Sequence, residues 1–500
     1  MTAGTTYTPP AETPSARRRW GGLAVLSASL LVVVMDMTIL NLALPAMAED
    51  LRPSSVEQLW IVDIYSLVLA GLLVTASALG DRLGRRLMLV TGFVIFGVAS
   101  LGVLLADSPE SVIAIRVLLG VGGAMIMPST LSLIRSLFPD ARERATALGI
   151  WGATAAVGGA LGPIVGGALL QNFSWHSAFL FNVPVMVVAF VAALLLLPES
   201  RSDRPGRLDP LATGLSIVGM VGLVYAIKEL GKDGVTVEVL VVGLLGAALL
   251  TGFVLRSLRA AEPMLEIRLF RGRGFTAGVL TALITSFAMV AALLLISQWL
   301  QLVQGWSPLA SGVALLPMAV GGLVGSPLAP VVAQRIGPRT VLVAGLAIGA
   351  VGFLLLFLLP QPLSYAGIAA SLTLIGIGTA PLAVASAVIM AGAPVAQAGS
   401  AAAIEESSYE IGAALGITVL GSLAAAVYRA GLPGDAPEIA RESLAGALTL
   451  DNPVLARVAQ TAFTDSLTWF GLAGGLLLLA VAGLVLYLTP RSLDLSATHH

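Results

Sequence analysis

The chain contains no cysteine and only three histidines among its 500 residues. The absence of cysteine excludes disulfide bonds, thiolate metal sites and cysteine nucleophiles. His499 and His500 stand together at the end of the sequence like the remnant of a purification tag, which leaves His176 alone. A histidine metal cluster is therefore excluded, and the sequence predicts no metal site.

Charge is also scarce, since 11% of the residues are charged and 57% are hydrophobic. Soluble domains have about 25% charged residues, so the composition excludes the ordinary globular classes. The apolar runs are continuous, which excludes an outer-membrane barrel, because its strands alternate apolar and polar residues. No Walker-type phosphate loop is present, and nothing indicates nucleic-acid binding. We expect an all-α polytopic membrane protein that is not an enzyme and binds no cofactor.

Fourteen apolar runs, each long enough to cross a bilayer, predict fourteen membrane-spanning helices. The runs cover residues 21–47, 57–79, 87–106, 110–133, 145–170, 177–198, 208–230, 237–258, 274–303, 309–333, 340–360, 365–391, 400–427 and 466–489. If both termini are cytoplasmic, twenty arginines fall in loops on that side and six basic residues, including Lys228, fall on the outer side. The positive-inside rule favours this orientation, in the cell (inner) membrane.

A short motif occurs twice, as residues 81–86 after the second run and as residues 334–339 after the tenth. Both stretches follow the second helix of a predicted six-helix unit, and such duplicated halves are typical of transporters. The sequence therefore predicts five regions. They are a disordered cytoplasmic N-terminus (1–20), a six-helix bundle (21–198), a linker with two additional helices (199–273), a second six-helix bundle (274–490) and a C-terminal tail (491–500).

The one long outer segment, residues 428–465, is too polar to span a membrane. It is rich in proline, glycine and acidic residues and then weakly amphipathic. Two interpretations remain open, a loose connector or a cap over the outer gate.

Six charged residues fall inside predicted spans, although an ionised group at the bilayer centre costs about 2.5–3.5 kcal/mol on insertion scales. The six lie five or more residues inside their runs, whereas other charges stand at the ends, and they are Asp36, Asp63, Arg116, Glu405, Glu406 and Glu410. Five acids against one base leave negative charge uncompensated unless some acids are protonated or meet a cation. Groups in this situation can exchange a proton for a cation.

Asp36 lies about 22 Å along the first span at 1.5 Å per residue, well inside the membrane. We interpret it as a proton-coupling acid, with a structural hydrogen-bond acceptor as the alternative. Arg116, the only base predicted well inside a span, is its candidate partner, or an arginine held by backbone carbonyls. Asp63 lies nearer the outer end of its span, where it binds substrate or merely lines a vestibule.

Glu406 and Glu410 are four residues apart and share one helix face, with Glu405 rotated by about 100°. With Tyr409 nearby, this face is suited to a lipophilic cation, because acids supply charge and aromatic rings supply cation–π contact. The alternative is a solvated inner rim. In the fifth span, Gly158, Gly162, Pro163, Gly166 and Gly167 permit close helix approach and a kink.

These motifs together resemble the major facilitator superfamily, and within it the fourteen-span drug:proton antiporters that include quaternary-ammonium efflux pumps. Residues 80–86 match the signature loop between the second and third spans, with Asp81, Arg82, Gly84 and Arg85 as its conformational residues. Ser77 departs from the glycine that usually begins this signature. Arg116 with Gly120 and Gly122 matches the fourth-span motif, and the glycines and proline of the fifth span match the antiporter motif. Residues 36–45, 60–63 and 402–410 resemble the fourteen-span branch. No acid occurs in the tenth span, where some members carry one for divalent cations.

The resemblance implies two six-helix bundles with two additional central helices, and a monomeric exporter of lipophilic cationic drugs or antiseptics that works by alternating access. The proton gradient would be its energy source, with Asp36 and Arg116 as the proton-coupling pair. Asp63, Glu405, Glu406, Tyr409 and Glu410 would bind the substrate. One alternative is a dedicated exporter of a single neutral or zwitterionic metabolite, antibiotic or lipid. A more remote alternative is a sensor or channel-like scaffold that does not pump.

Overall fold

The computed structural model describes residues 15–201, 209–261, 263, 265–394 and 397–490. Within these ranges every regular element is helical, and fourteen helices are long and apolar enough to cross a membrane, which confirms the predicted fold class and number of spans. We number them α1 (Ala16–Leu51), α2 (Ser55–Leu83), α3 (Arg85–Leu105), α4 (Pro109–Leu137), α5 (Thr146–Asn172), α6 (Ser177–Leu196), α7 (Pro210–Lys232), α8 (Val237–Arg259), α9 (Arg273–Val303), α10 (Pro308–Ile336), α11 (Pro338–Leu358), α12 (Tyr365–Ala391), α13 (Ser400–Ala430) and α14 (Pro453–Leu488).

The first helix begins earlier than the sequence predicted. Residues 16–20, which we expected to be disordered, form the first turns of α1. Residues 1–14 and the predicted tail 491–500 lie outside the described residues, as do Arg204 and Arg207 in the linker.

The last helix also begins earlier, at Pro453 rather than at residue 466. The Asn452 side chain accepts a hydrogen bond from the Leu455 amide and caps this start, with Pro453 in the first turn. The polar residues between 453 and 465 lower the hydropathy of this part of the helix, so the apolar run begins only at residue 466. They bond to α9, since Gln460 Nε2 donates to the Leu302 carbonyl and Thr464 accepts from Trp299 Nε1.

Two clusters of buried apolar side chains form the core. One runs from Leu23 to Leu197 through α1–α6 and also includes Leu294 of α9 and Ile417 of α13. The other runs from Ala277 to Val485 through α9–α14. Helix α7 packs against both α2 and α13, and α8 packs on α7. The inserted pair therefore lies against the seam between the two clusters.

The two bundles meet at the end of the molecule opposite Ser15 and Pro490, the first and last residues described, and we call this the distal end. Ser297 Oγ of α9 donates to the Asn41 carbonyl of α1 over 3.0 Å, and Gln301 Nε2 donates to the Leu42 carbonyl over 3.3 Å. Gly312 of α10 lies directly against the Pro163 carbonyl of α5. These contacts close the seam between α1, α5, α9 and α10 at the distal end.

Residues 431–452, which we call the cap, form a packed structure at the distal end. They contain two short helices, Glu438–Glu442 and Leu444–Leu448, and Leu444 and Ala447 are buried. The Tyr428 hydroxyl donates to the Ala440 carbonyl over 2.8 Å. The interpretation as a loose connector is therefore wrong, and the cap is shorter than predicted because α13 and α14 extend into the segment.

The repeated loop motif has the same geometry in both bundles. Gly84 and Gly337 both adopt positive φ, at 127° and 87°. Two residues later, Arg86 donates to the Leu197 carbonyl after α6, and Arg339 donates to the Leu486 carbonyl near the end of α14. The sequence repeat is therefore also a structural repeat, in which an arginine fastens the start of the third helix to the end of the sixth.

Candidate functional site

The buried Asp36 carboxylate of α1 forms an ion pair with Arg116 of α4. Arg116 Nη1 lies 2.7 Å from Asp36 Oδ2, and both side chains are about 2% exposed. Asn182 Nδ2 of α6 donates to Asp36 Oδ1 over 2.7 Å and lies 3.3 Å from Ser100 Oγ of α3. Three helices of the first bundle therefore meet at one carboxylate, and α3 contacts the Asn182 side chain that binds it.

Backbone carbonyls of α2 bind the remaining donors of Arg116. Its Nε donates to the Ile61 carbonyl over 3.0 Å and its Nη2 to the Val62 carbonyl over 3.2 Å. The Tyr65 ring lies against the guanidinium, with 4.6 Å from Cζ to the ring centre. Both sequence interpretations of Arg116 thus describe part of its surroundings, because it pairs with an acid and also binds carbonyls.

Asp63 of α2 does not line an open vestibule, and Arg116 is not the only buried base. Lys228 Nζ of α7 lies 2.8 Å from Asp63 Oδ1, and both side chains are fully buried. Lys228 stands two residues before the end of the predicted run 208–230 and was therefore counted with the outer side. Helix α7 continues past it to Lys232, so Lys228 lies inside the span.

Two further side chains complete the surroundings of Asp63. Thr418 Oγ1 of α13 donates to Asp63 Oδ2 over 2.8 Å. The Lys228 ammonium lies 3.5 Å from the centre of the Trp60 ring, within the range of a cation–π interaction. The first bundle, the inserted pair and the second bundle therefore meet at a single carboxylate.

Helix α13 carries the other three acids. The Glu405 carboxylate accepts a hydrogen bond from the Tyr409 hydroxyl over 2.8 Å, and Glu406 is half-buried. Glu410 is 4% exposed, and its Oε2 has no hydrogen-bond partner among the described residues. The Glu410 side chain forms a hydrogen bond with Ser66 of α2, on the facing bundle. Glu410 therefore faces the other bundle and not a solvated rim.

The signature loop after α2 packs against the end of α6 in its own bundle. Asp81 Oδ1 accepts from Arg85 Nη2 over 2.8 Å, while Arg82 is exposed. The Glu199 carboxylate accepts from the amides of Arg86 and Leu87 at the start of α3, where the helix dipole favours an anion. A side chain at position 84 would collide with Glu199, which explains the glycine there.

The fifth-span motif forms two contact surfaces. Gly158, Gly162 and Gly166 recur every four residues and face α1, where Gly162 lies against the Thr38 hydroxyl. Gly167 faces the other way, toward Leu309 at the start of α10. The motif therefore joins α5 to its own bundle on one side and to the second bundle on the other.

Sequence reasoning missed Lys228, Asn182 and Thr418. A lysine within helical reach of an apolar run was a usable signal for Lys228. The other two are ordinary polar residues whose importance lies in what they touch. In the part of the chain that the structure describes, no group of three or more histidines or acids could hold a metal ion.

Comparisons with known proteins agree with this architecture. The family model of the Major Facilitator Superfamily matches residues 26–417. The chain is 41% identical over 494 residues to the multidrug efflux pump LfrA of Mycolicibacterium smegmatis, covering 95% of this chain and 97% of that protein. It is 36% identical over 483 residues to the methyl viologen resistance protein SmvA of Salmonella typhimurium, covering 93% and 98%.

A crystal structure of a bacterial homologue of the human lysosomal transporter Spinster, inward-facing and unoccupied, has a similar fold. Its TM-score is 0.68 at 18% identity, with coverage of 95% of this chain and 98% of that one. The chain therefore belongs to the major facilitator superfamily, a family of membrane transporters and not of enzymes.

Proposed function

We propose that this protein is a proton-coupled antiporter that exports lipophilic, cationic drugs or antiseptics by alternating access. The observation that carries the proposal is the imbalance of buried charge. Asp36 and Asp63 each have a cationic partner, whereas Glu405, Glu406 and Glu410 form no ion pair within the described residues. Burying unpaired carboxylates is costly, so they must be protonated or meet a cation.

The proton would bind at Asp36. Protonating this carboxylate removes its attraction for Arg116, whose other contacts hold it against α2. The guanidinium would then carry a positive charge that Asp36 no longer neutralises, and Glu410 is the acid that α13 presents across the seam. A proton on α1 would thereby change the electrostatic environment of α13, where the substrate binds.

The substrate would bind along α13. Glu406 and Glu410 supply charge, and Tyr409 supplies an aromatic face, the two features that bind organic cations. Glu405 orients Tyr409 through their hydrogen bond. The similarity to a multidrug efflux pump supports drug export, and no organic cofactor or metal enters this scheme.

The remaining motifs would serve the conformational change. The signature loop and its repeat hold each bundle rigid, and the fifth-span glycines and the cap close the distal end. By the positive-inside rule, that end would face outward from the inner membrane, with both termini cytoplasmic. A single chain contains the whole scheme, so we propose a monomer.

Transport by purified protein in liposomes tests the proposal. With an imposed pH gradient, ethidium should move against the proton flow, and an uncoupler should abolish the movement. Export that persists at full rate without any proton gradient would refute proton coupling. A panel of cations that neither competes for transport nor is exported would favour a dedicated exporter of one neutral or zwitterionic compound.

A further inference from the structure

The surroundings of Asp63 have the composition of a site for an organic cation. They provide a carboxylate, the face of Trp60 and the hydroxyl of Thr418, contributed by α2 and α13. Carboxylates and aromatic faces together recognise ammonium groups. The cation found there is the ammonium of the chain's own Lys228, 2.8 Å from the carboxylate and 3.5 Å from the ring centre.

Lys228 comes from outside the two bundles. It belongs to α7 of the inserted pair, which packs across the seam between α2 and α13. The contact is close, since Gly71 lies against Ile217 and Gly231 against Ser422. A body of two six-helix bundles alone would leave Asp63 without its cation.

We propose that Lys228 is a built-in competitor for the substrate, which occupies the Trp60–Asp63–Thr418 site when no drug is bound and is displaced when an organic cation enters. This inference rests on the proposed cation transport and adds a specificity-determining residue to it. Only a ligand that offers Asp63 and Trp60 a better contact than the tethered ammonium would bind there.

A displaced ammonium would move toward the end of α7, where the Lys232 side chain is partly exposed. Lys232 lies one turn further along the same face of α7, 3.9 Å from Glu442 of the cap. From Lys228 to Lys232 the helix rises about 6 Å, a distance that the flexible lysine stem can cover by snorkelling. Lysine suits this role because it binds as a compact point charge on a flexible stem, whereas arginine forms a rigid fork of hydrogen bonds.

The first test labels lysine directly. Lys228 and Lys232 are the only two lysines in the chain, so an amine-reactive ester followed by peptide mass spectrometry reports each one. Lys228 should be unreactive in the ligand-free protein and become reactive when tetraphenylphosphonium is added. Lys232, already half-exposed, is the internal control and should not respond. Unchanged protection of Lys228 at saturating tetraphenylphosphonium would overturn the inference.

The second test measures binding of tetraphenylphosphonium to protein in nanodiscs. If Lys228 holds the site nine-tenths of the time, Lys228→Met should tighten binding about tenfold, because apparent affinity scales with the competent fraction. Lys228→Arg keeps the charge and should not tighten it. In an Asp63→Asn background the lysine substitution should have no effect, because the contested carboxylate is gone. A Lys228→Met protein that binds no more tightly than wild type contradicts the inference.

The two proposals can fail separately. If the wild-type protein neither binds nor transports any organic cation, the proposed function fails. If it transports such cations but Lys228 stays protected, only the competitor role fails. Labelling uses the wild-type chain, so it decides the matter even if Lys228→Met does not fold.

Discussion

At the scale of the residue, two ion pairs among the described residues are almost fully buried. Asp36–Arg116 lies within the first bundle, whereas Asp63–Lys228 joins that bundle to the inserted pair. Breaking a buried pair by removing one partner leaves an uncompensated charge and costs about 3–5 kcal/mol. Substitutions that keep the shape and the hydrogen bonds are therefore the informative ones.

Asp36→Asn should abolish transport driven by a pH gradient while leaving equilibrium binding of ethidium largely intact. The amide oxygen can still accept from Arg116, so the helices stay together, but the side chain no longer exchanges a proton. Dye uptake into liposomes measures the first effect, and fluorescence titration measures the second.

Asp107→Asn is the matched control, because Asp107 is an exposed carboxylate between α3 and α4. It should transport like wild type. If Asp36→Asn still moves dye in response to an imposed pH gradient, Asp36 is not the coupling acid.

Gly312→Ala should open the distal end. The added methyl group would collide with the Pro163 carbonyl across the seam, and overpacking of this kind costs about 1–3 kcal/mol. The equilibrium between closed and open distal ends should shift about 5- to 150-fold. Spin labels at Phe173→Cys and Gln304→Cys report the distance, with no native cysteine to remove.

Gly483→Ala is the control for that substitution, since a methyl group there meets open space. Its distance distribution should match that of wild type. An unchanged distribution for Gly312→Ala would show that the contact between α5 and α10 does not set the closed state.

At the scale of the element, the cap and the inserted pair each connect the first bundle to the second. Glu442 of the cap accepts from the Ser55 amide at the start of α2 over 2.6 Å, where the helix dipole favours an anion. Arg429 at the end of α13 donates to the Gly231 carbonyl of α7. Hydrogen bonds to backbone groups therefore stabilise the distal end, in addition to side-chain packing.

Glu442→Ala should weaken distal closure. It removes a hydrogen bond to a charged group, worth about 1.5–3 kcal/mol, and leaves the Ser55 amide without its partner. The same spin-label pair should show a larger open population, and dye export should slow. Glu438→Ala, an exposed acid of the same short helix, is the control. Equal behaviour of the two variants would remove the cap from the gating scheme.

At the scale of the whole molecule, the proposed function implies that buried charge would determine which substrates fit. Helix α10 carries no acid between Pro308 and Ile336, so a second positive charge would have to be met by the same acids of α13. We expect monovalent lipophilic cations to be exported faster than bis-quaternary ones, and an uncoupler to stop both. A dye-efflux profile across the two classes measures this. Equal export of both classes would mean that α13 and Asp63 serve two charges at once.

Much of the architecture follows from the sequence alone. Continuous apolar runs fix the number of spans, because each must fill the same thickness of bilayer. The acids inside those runs identify candidate functional residues, because their insertion cost needs a reason. Asp36, Arg116 and Glu410 were found in this way.

Only the tertiary structure decided the partners. Lys228 lies near a helix end in the sequence, and its burial depends on α7 packing across the seam between α2 and α13. The cap is polar in composition, yet its Glu442 carboxylate accepts a hydrogen bond from the Ser55 amide, 387 residues away in the sequence. Hydropathy measures how favourably a segment transfers from water to lipid. These groups are buried against protein instead, and their burial depends on residues that are distant in the sequence.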